Sequence, residues 1–216
     1  RVADAVRAYD RAIALRADYV DPHFNRGNAM LRLQRHEEAL ACFDKAIALS
    51  PQLALAHYNR GTVLESLGRK SEAMDSYRAV LALEPQHTQA QFNLGSLYLG
   101  LKQFDAAVAC IDRVIAHAPQ VAQAHFARGS AMLKTNCVRE AIASFDRALA
   151  IDPEYADALS NRGAARLQLK EYDAAFADLD RAIRLNPQRA EPPFLMGTLL
   201  SEYKRHEEAL QQFQLI

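Results

Sequence analysis

One spacing, 34 residues, recurs along this chain of 216 residues in three separate columns of small or rigid residues. The glycine column is Gly27, Gly61, Gly95, Gly129, Gly163 and Gly197. The alanine column is Ala5, Ala39, Ala73, Ala107, Ala141, Ala175 and Ala209, and the proline column is Pro51, Pro85, Pro119, Pro153 and Pro187. Because three independent columns keep one step, the chain is a tandem array of a single unit. Units in such an array contact only their neighbours, so no single closed core is expected.

Residues 54–87 indicate that each unit contains two helices. Apolar residues follow a helical spacing from Ala56 to Leu67, and Gly68 then interrupts the pattern. A second amphipathic stretch ends before Pro85, since proline has no amide hydrogen and restricts the residue before it. We therefore predict two antiparallel helices of about 13 residues in every repeat, joined by a short turn.

These columns resemble the tetratricopeptide repeat (TPR). Residues 56–85 begin A-H-Y-N-R-G and end E-A-M-D-S-Y-R-A-V-L-A-L-E-P, which is the family's order of small, aromatic and proline positions. The family's usual tryptophan is replaced by His23, His57, Gln91, His125, Leu159 and Pro193. The resemblance implies an all-α fold, a right-handed superhelical solenoid of antiparallel helix pairs whose first helices line a concave groove.

The register of the columns predicts one array over residues 1–216. Residues 1–19 would form the second helix of a partial repeat, and residues 190–216 a truncated repeat. Five complete repeats are predicted between them, at 20–53, 54–87, 88–121, 122–155 and 156–189. The sequence starts without methionine and stops inside a helical pattern, so we expect a longer protein.

The composition argues against a nucleic-acid or membrane partner. The 26 basic and 26 acidic side chains cancel, so a strongly basic footprint or a polybasic membrane patch is missing. The sequence has no run of 18 apolar residues. Its cysteines, Cys42, Cys110 and Cys137, are odd in number and have no paired spacing, which is typical of a reducing compartment. We expect a cytoplasmic protein.

Patterns that would support catalysis are weak. The His-Glu-Glu run at residues 36–38 resembles the start of a zinc-protease helix, but Leu40 stands where the second histidine is required. His23, His57 and His125 share one column on different repeats, too far apart to bind one metal ion. We predict no catalytic residue, no cofactor and no metal site in this segment. A catalytic domain elsewhere in a longer protein stays open.

An arginine column and an aspartate column vary together. Arginine precedes the repeat glycine in four of six repeats, where the TPR pattern usually has leucine, and aspartate stands sixteen residues before each of these arginines. Where Arg78 replaces the aspartate, Leu94 replaces the arginine; Asp180 with Met196 is a mismatch. The alternative is a coincidence of two solvated helix faces. We predict ion pairs between neighbouring repeats: Asp10–Arg26, Asp44–Arg60, Asp112–Arg128 and Asp146–Arg162.

The resemblance also implies which residues line the groove. An asparagine column contains Asn25, Asn59, Asn93 and Asn161; an aromatic column contains Phe24, Tyr58, Phe92 and Phe126; a small polar column contains Asn28, Thr62 and Ser96. An amide side chain both donates and accepts, so a row of amides can bind successive peptide groups without reading a sequence. The aromatics would add apolar contact. The alternative is that these residues are family consensus residues needed for packing.

Two further features bear on the ligand. A carboxylate clamp, which binds the C-terminal tails of chaperones, needs basic residues where this chain has Phe24, Gln89 and Asn93, or one repeat later Tyr58, Gln123 and Ala127. We therefore reject that reading. At the other end of the groove, Asp157, Glu191 and Glu202 predict an acidic wall that would favour a basic stretch of ligand.

The function predicted from the sequence is a non-enzymatic scaffold that binds an extended peptide or partner segment. The asparagine column is similar to those in the TPR arms of O-linked N-acetylglucosamine transferases, so one alternative is the substrate-recruiting arm of a larger glycosyltransferase. A second alternative is a self-assembling array that associates through open solenoid ends.

Overall fold

A computed structural model of the chain describes residues 2–202, except for the side chain of Glu202. Within these residues the secondary structure consists of twelve α-helices and no strand. The helices are α1 (Val2–Leu15), α2 (Val20–Arg32), α3 (His36–Leu49), α4 (Ala54–Ser66), α5 (Lys70–Leu83), α6 (Thr88–Gly100), α7 (Phe104–His117), α8 (Ala122–Lys134), α9 (Val138–Ile151), α10 (Ala156–Gln168), α11 (Tyr172–Leu185) and α12 (Glu191–Glu202). The all-α fold class of paired helices is thus confirmed.

The even-numbered helices, here called first helices, begin where the sequence register starts each repeat, and the odd-numbered ones are the second helices. The chain divides into two compact units, Arg1–Leu97 and Tyr98–Ile216, and the boundary falls within α6. The repeat boundaries stay a prediction, and most of the second half of the predicted repeat 190–216 lies outside the described residues.

A left-handed residue makes the turn between the two helices of a pair. After α4, Gly68 has φ +73°, its N–H donates to the Glu65 carbonyl at 2.9 Å, and the Arg69 N–H donates to the Leu64 carbonyl at 2.8 Å. These two bonds define a Schellman motif, which ends a helix and reverses the chain. The same position has positive φ in four other turns, at Gln34, Lys102, Asn136 and Lys170.

The repeat glycine allows the two helices of a pair to approach closely. A Cβ added at Gly61 would lie 2.6 Å from Cε1 of Tyr77, a ring that is fully buried. The same contact recurs at Gly27–Phe43 and Gly129–Phe145, with distances of 2.7 and 2.6 Å. Since real Cβ atoms essentially never come that near, only glycine fits opposite these rings. The rings therefore pack onto the first helix of their own pair.

Side chains at the family's tryptophan position fasten the loop between repeats. The Nε2–H of His57 donates to the Pro51 carbonyl at 2.9 Å, and Nε2 of Gln91 donates to the Pro85 carbonyl at 2.7 Å. His23 and His125 make the equivalent bond, at 2.9 Å, to the carbonyls of Ala17 and Pro119. The histidine column is therefore occupied in closing the loops.

We predict that Gly61→Ala lowers the free energy of unfolding by up to about 2 kcal/mol. Overpacking against Tyr77 should cost about 1–3 kcal/mol, which the better helix propensity of alanine offsets by ~1 kcal/mol. The control is Gly100→Ala, because Gly100 lies in a helix with no atom within 4 Å of the added Cβ. That substitution should stabilise by about 0.4–1 kcal/mol. Urea denaturation of both variants checks this; shifts of the same sign would contradict the close-approach argument.

Candidate functional site

Amide side chains on the first helices connect neighbouring repeats in the first unit. The Nδ2 of Asn59 donates to Oδ1 of Asn28 at 2.8 Å, and the Nδ2 of Asn93 donates to the Tyr77 hydroxyl at 3.1 Å. All of these asparagines, and Asn25, are half-buried. An amide has two N–H donors and a carbonyl oxygen with two lone pairs, so one bond leaves capacity for a ligand.

In the second unit, the Nδ2 of Asn161 lies 3.4 Å from Oγ of Ser130 on the preceding first helix. The predicted small polar residues are less available than the asparagines. The Thr62 hydroxyl donates at 2.8 Å to the backbone carbonyl of Asn59 in its own helix, and Ser96 is half-buried.

Asn25 and Asn28 open onto a cavity of about 300 Å³ between α1 and α2. Tyr9 and Ala5 of α1 form its apolar side, and Arg32 lies at the end of α2. Two predicted asparagines therefore share one concave space with an apolar surface and a cation. This space belongs entirely to the first unit.

The aromatic residues predicted to line the groove are partly exposed and also pack within the protein. Phe24, Tyr58, Phe92 and Phe126 are half-buried. Three of them lie with ring centroids 5.9 Å from the buried ring of their own pair: Phe24–Phe43, Tyr58–Tyr77 and Phe126–Phe145. Tyr58 also stacks on His87 at 5.0 Å, and Phe126 approaches Tyr155 at 4.9 Å. Tyr58 and Phe126 therefore join a first helix to the loop before the next one, and the binding role of the aromatic column stays a prediction.

One exposed apolar residue on this face was missed by the sequence reasoning. Leu55, in the first turn of α4, is 50% exposed and lies three residues before Tyr58, which places both on one side of the helix. Its column also contains Asp21, Gln89 and Gln123. Because this column has no common residue type, its charged members Asp157 and Glu191 were considered from the sequence but an apolar residue in it was not.

The Tyr77 hydroxyl lies at the centre of a small polar network. It donates to a carboxylate oxygen of Glu65 and accepts the bond from Asn93. Burial, and then the hydrogen bond to Glu65, raise the pKa of Tyr77 above its ordinary value. Tyr77 is thus a neutral donor that fixes Glu65 on α4 and orients the amide of Asn93.

The arginines before the repeat glycine contact the predicted aspartates. Arg26 Nε lies 2.7 Å from Oδ1 of Asp10, and Arg162 Nη1 lies 2.6 Å from Oδ1 of Asp146. The other two pairs have Nε–Oδ1 distances of 2.6 Å (Arg60–Asp44) and 2.7 Å (Arg128–Asp112). The aspartates are half-exposed, whereas the arginine side chains are largely buried. We call each such group an arginine junction.

Every arginine junction has a second partner that the sequence reasoning missed. Arg60 Nη1 donates to Oγ of Ser76 at 2.7 Å, and Arg128 Nη1 donates to Oγ of Ser144 at 2.8 Å. Arg26 Nη1 lies 3.0 Å from the Cys42 sulfur. The junction therefore connects the second helix of one repeat to both helices of the next. The available signal was the column sixteen residues after each arginine.

In the fourth junction this second partner is a buried carboxylate. Asp178 is 4% exposed and accepts from Arg162 Nε at 2.8 Å and Nη2 at 2.6 Å, and from Arg166 Nη1 at 2.6 Å. Burial alone would lower the pKa of Arg162, but the bonds and charges of Asp178 and Asp146 outweigh burial and raise it. Two guanidinium groups thus compensate the buried charge.

We predict very different costs for the two aspartates bound to Arg162. Asp178→Ala should lower the free energy of unfolding by about 3–5 kcal/mol, because it leaves Arg166 without a counter-charge and Arg162 with only the half-exposed Asp146. Asp146→Ala is the matched control, since Asp146 is half-exposed and should contribute about 0–1 kcal/mol. Urea denaturation followed by circular dichroism measures both; equal losses would show that Asp178 is not desolvated.

The predicted acidic wall needs correction. Arg189 forms an ion pair with Asp157 and has Nη2 3.8 Å from Oε2 of Glu191. Arg189 therefore compensates part of the acidic charge, and the surface around Asp157 and Glu191 is less suited to a basic ligand than the sequence predicted. The side chain of Glu202 lies outside the described residues.

The described residues offer little support for metal binding or thiol chemistry. No group of three His, Cys, Asp or Glu side chains that could bind a metal occurs in the described part of the chain. His36 lies 3.1 Å from the amide oxygen of Gln34. Cys42, Cys110 and Cys137 form no disulfide, and Cys42 is buried. Among the described helices, none has the length and apolar character required to cross a membrane.

Paired helices, tight glycine contacts and a polar face without a catalytic cluster define a helical-repeat interaction module. Models described as "TPR repeat" match residues 1–34 and 32–68, and models described as "Tetratricopeptide repeat" match residues 54–87, 94–160 and 156–189. The chain belongs to the TPR family.

Solved structures with this fold include YrrB, described as a TPR protein with an unusual peptide-binding site. It is 25% identical, with a TM-score of 0.76, over 93% of this chain and 99% of that one. MamA from Desulfovibrio magneticus RS-1 (24%, TM-score 0.74, 79% and 96% covered) and PilF from Pseudomonas aeruginosa (18%, 0.75, 89% and 88%) share the fold. No curated protein matches the sequence. Because TPR modules generally bind other proteins, the chain is a protein-interaction scaffold.

Proposed function

We propose that this chain binds an extended segment of a partner protein along its first-helix face, the surface formed by the asparagine, aromatic and small polar columns. The observation that carries this proposal is the row of half-buried asparagines on successive first helices, each with amide groups left to form bonds. An extended peptide offers a donor and an acceptor at every residue, so it matches such a row.

The first unit should contribute more of the bonds. Asn25, Asn59 and Asn93 occupy three successive first helices there, whereas Ala127 interrupts the column in the second unit before Asn161 resumes it. Asn28 adds a further amide oxygen next to Asn59. We therefore place the best-ordered part of the ligand on the first unit.

Apolar contact would come from the outer edges of the half-buried rings and from Leu55. Tyr58 and Leu55 lie on the same side of α4, beside Asn59. Aromatic side chains lose little conformational entropy on binding because they have only two rotatable side-chain bonds. Such contacts tolerate many ligand side chains, while the amides bind the ligand backbone.

The likeness to YrrB supports a peptide ligand, because that protein is described as having a peptide-binding site. Nothing observed on this chain favours the substrate-recruiting arm of a glycosyltransferase or a self-assembling array, and both stay predictions. We also propose a cytoplasmic location, in keeping with three cysteines that form no disulfide.

The test uses a partner captured by the whole chain and reduced to a segment of about ten residues, comparable to the ligands of other peptide-binding domains. Titration calorimetry would compare the wild type with the triple variant Asn25→Ala, Asn59→Ala, Asn93→Ala. Each lost amide contact should cost about 0.5–1.5 kcal/mol, so affinity should fall about tenfold or more.

Asn186→Ala is the control, because Asn186 is an exposed amide at the end of α11, away from the asparagine column. Its affinity should equal that of the wild type. Thermal unfolding of the triple variant separates lost binding from lost folding, since Asn59 and Asn93 also bond within the protein. Equal affinities of a folded triple variant and the wild type would place the binding surface elsewhere.

A further inference from the structure

The second unit carries a row of exposed arginines on its second helices, distinct from the first-helix face. Arg113 on α7, Arg147 on α9 and Arg181 on α11 follow one another at the 34-residue step, and we call them the arginine ridge. We propose that the arginine ridge is a second docking surface, for an acidic segment of a partner protein. This proposal goes beyond the peptide binding proposed above and does not depend on it.

The charge of the arginine ridge is uncompensated. Within residues 2–202, none of its three guanidinium groups forms an ion pair. The aspartate directly before each one is already bound: Asp112 by Arg128, Asp146 by Arg162 and Asp180 by Arg184. A chain with no net charge therefore presents a local row of free cations, and an acidic partner is the chemistry that complements it.

The surroundings of the ridge allow close approach. Alanine stands four residues before each ridge arginine, at Ala109, Ala143 and Ala177, and three residues after two of them, at Ala116 and Ala150; all five are exposed. Positions four before and three after lie on the same side of a helix. Around Arg113 and Arg147 only methyl groups occupy these positions, so a partner backbone can approach both guanidinium groups; three residues after Arg181 stands Arg184, which binds Asp180.

A cavity of about 510 Å³ lies beside the ridge, between α7 and α9 and over the first turns of α8. Arg147 and Ala143 form one side, Ala116 and Asp112 the other, and Arg128 lies between them. Two arginines against one aspartate leave one positive charge in this space. A Glu or Asp side chain of a partner would fit there and bind Arg147.

The observations favour protein over nucleic acid as the partner. No phenylalanine, tyrosine or tryptophan lines the cavity, and the ring of His125, which does, is buried and bonded to the Pro119 carbonyl, so little surface is open for bases to stack on. An aspartate precedes every ridge arginine in the sequence, so negative charge alternates with positive charge along the ridge. Such single, spaced cations suit carboxylates that project from a polypeptide better than a continuous line of phosphates.

The test measures fluorescence anisotropy of a labelled oligoglutamate of about ten residues with the whole chain at about 20 mM salt, where screening is weak. The ridge variant is Arg113→Gln, Arg147→Gln, Arg181→Gln. The charge-matched control is Lys134→Gln, Arg139→Gln, Lys170→Gln, three exposed residues of the second unit away from the ridge. Because all six are exposed, both variants should keep the fold, which circular dichroism checks.

We expect the ridge variant to bind oligoglutamate about fivefold or more weakly than the wild type, and the control variant within about twofold of it. Addition of salt should weaken the wild-type complex. Three results would overturn the proposal: absence of binding by the wild type, equal weakening by the control variant, or tighter binding of a labelled oligothymidine of equal length. If the triple asparagine variant bound its peptide as tightly as the wild type, the peptide-binding proposal would fail while the oligoglutamate result stood, so the two proposals fail separately.

Discussion

The contact between the repeat glycine and a buried ring is the constraint on which the rest of the fold depends. With Gly61 opposite Tyr77, the two helices of a pair approach to within the thickness of one side chain. The alanine column on the second helix then has no space around it: Ala39, Ala73, Ala141 and Ala175 are fully buried. Because the two helices lie so close, the loop between them must reverse the chain within a few residues. The Schellman motif does so with two backbone hydrogen bonds and one left-handed residue.

Polar chemistry determines how one pair packs on the next. Leucine at the position before the glycine would give apolar packing only, whereas arginine there bonds the preceding aspartate and a Ser, Cys or Asp of its own pair. Because a guanidinium group is planar and its donors have fixed directions, these bonds are satisfied in one register only. The junctions therefore add specificity of packing more than stability, except where Asp178 is fully desolvated.

The helix pairs could be predicted from the sequence because the same steric requirement acts at the same position of every repeat. Gly61 and Pro85 could therefore each be compared with several equivalent residues. The aspartate–arginine pairs followed because Arg78 and Leu94 change together. The second partner of each junction arginine was not predicted, because Cys42, Ser76 and Asp178 belong to different chemical types. The Asn59–Asn28 bond joins two different columns, which a comparison within columns does not test. The sequence also could not show whether a half-buried ring packs within the protein or is open to a ligand, because this depends on neighbouring loops. His87, for example, lies in a loop and stacks on Tyr58.

The arginine junctions also bear on how such an array comes apart. In a one-dimensional lattice of repeats, an interaction inside one repeat changes the energy of that site, whereas an interaction across a boundary changes the coupling between sites. Each junction does both, because its arginine bonds an aspartate of the preceding repeat and a residue of its own. Opening one repeat removes a partner from its neighbour, so within each unit every junction adds a small amount to the coupling between adjacent repeats and favours fraying that involves neighbours together.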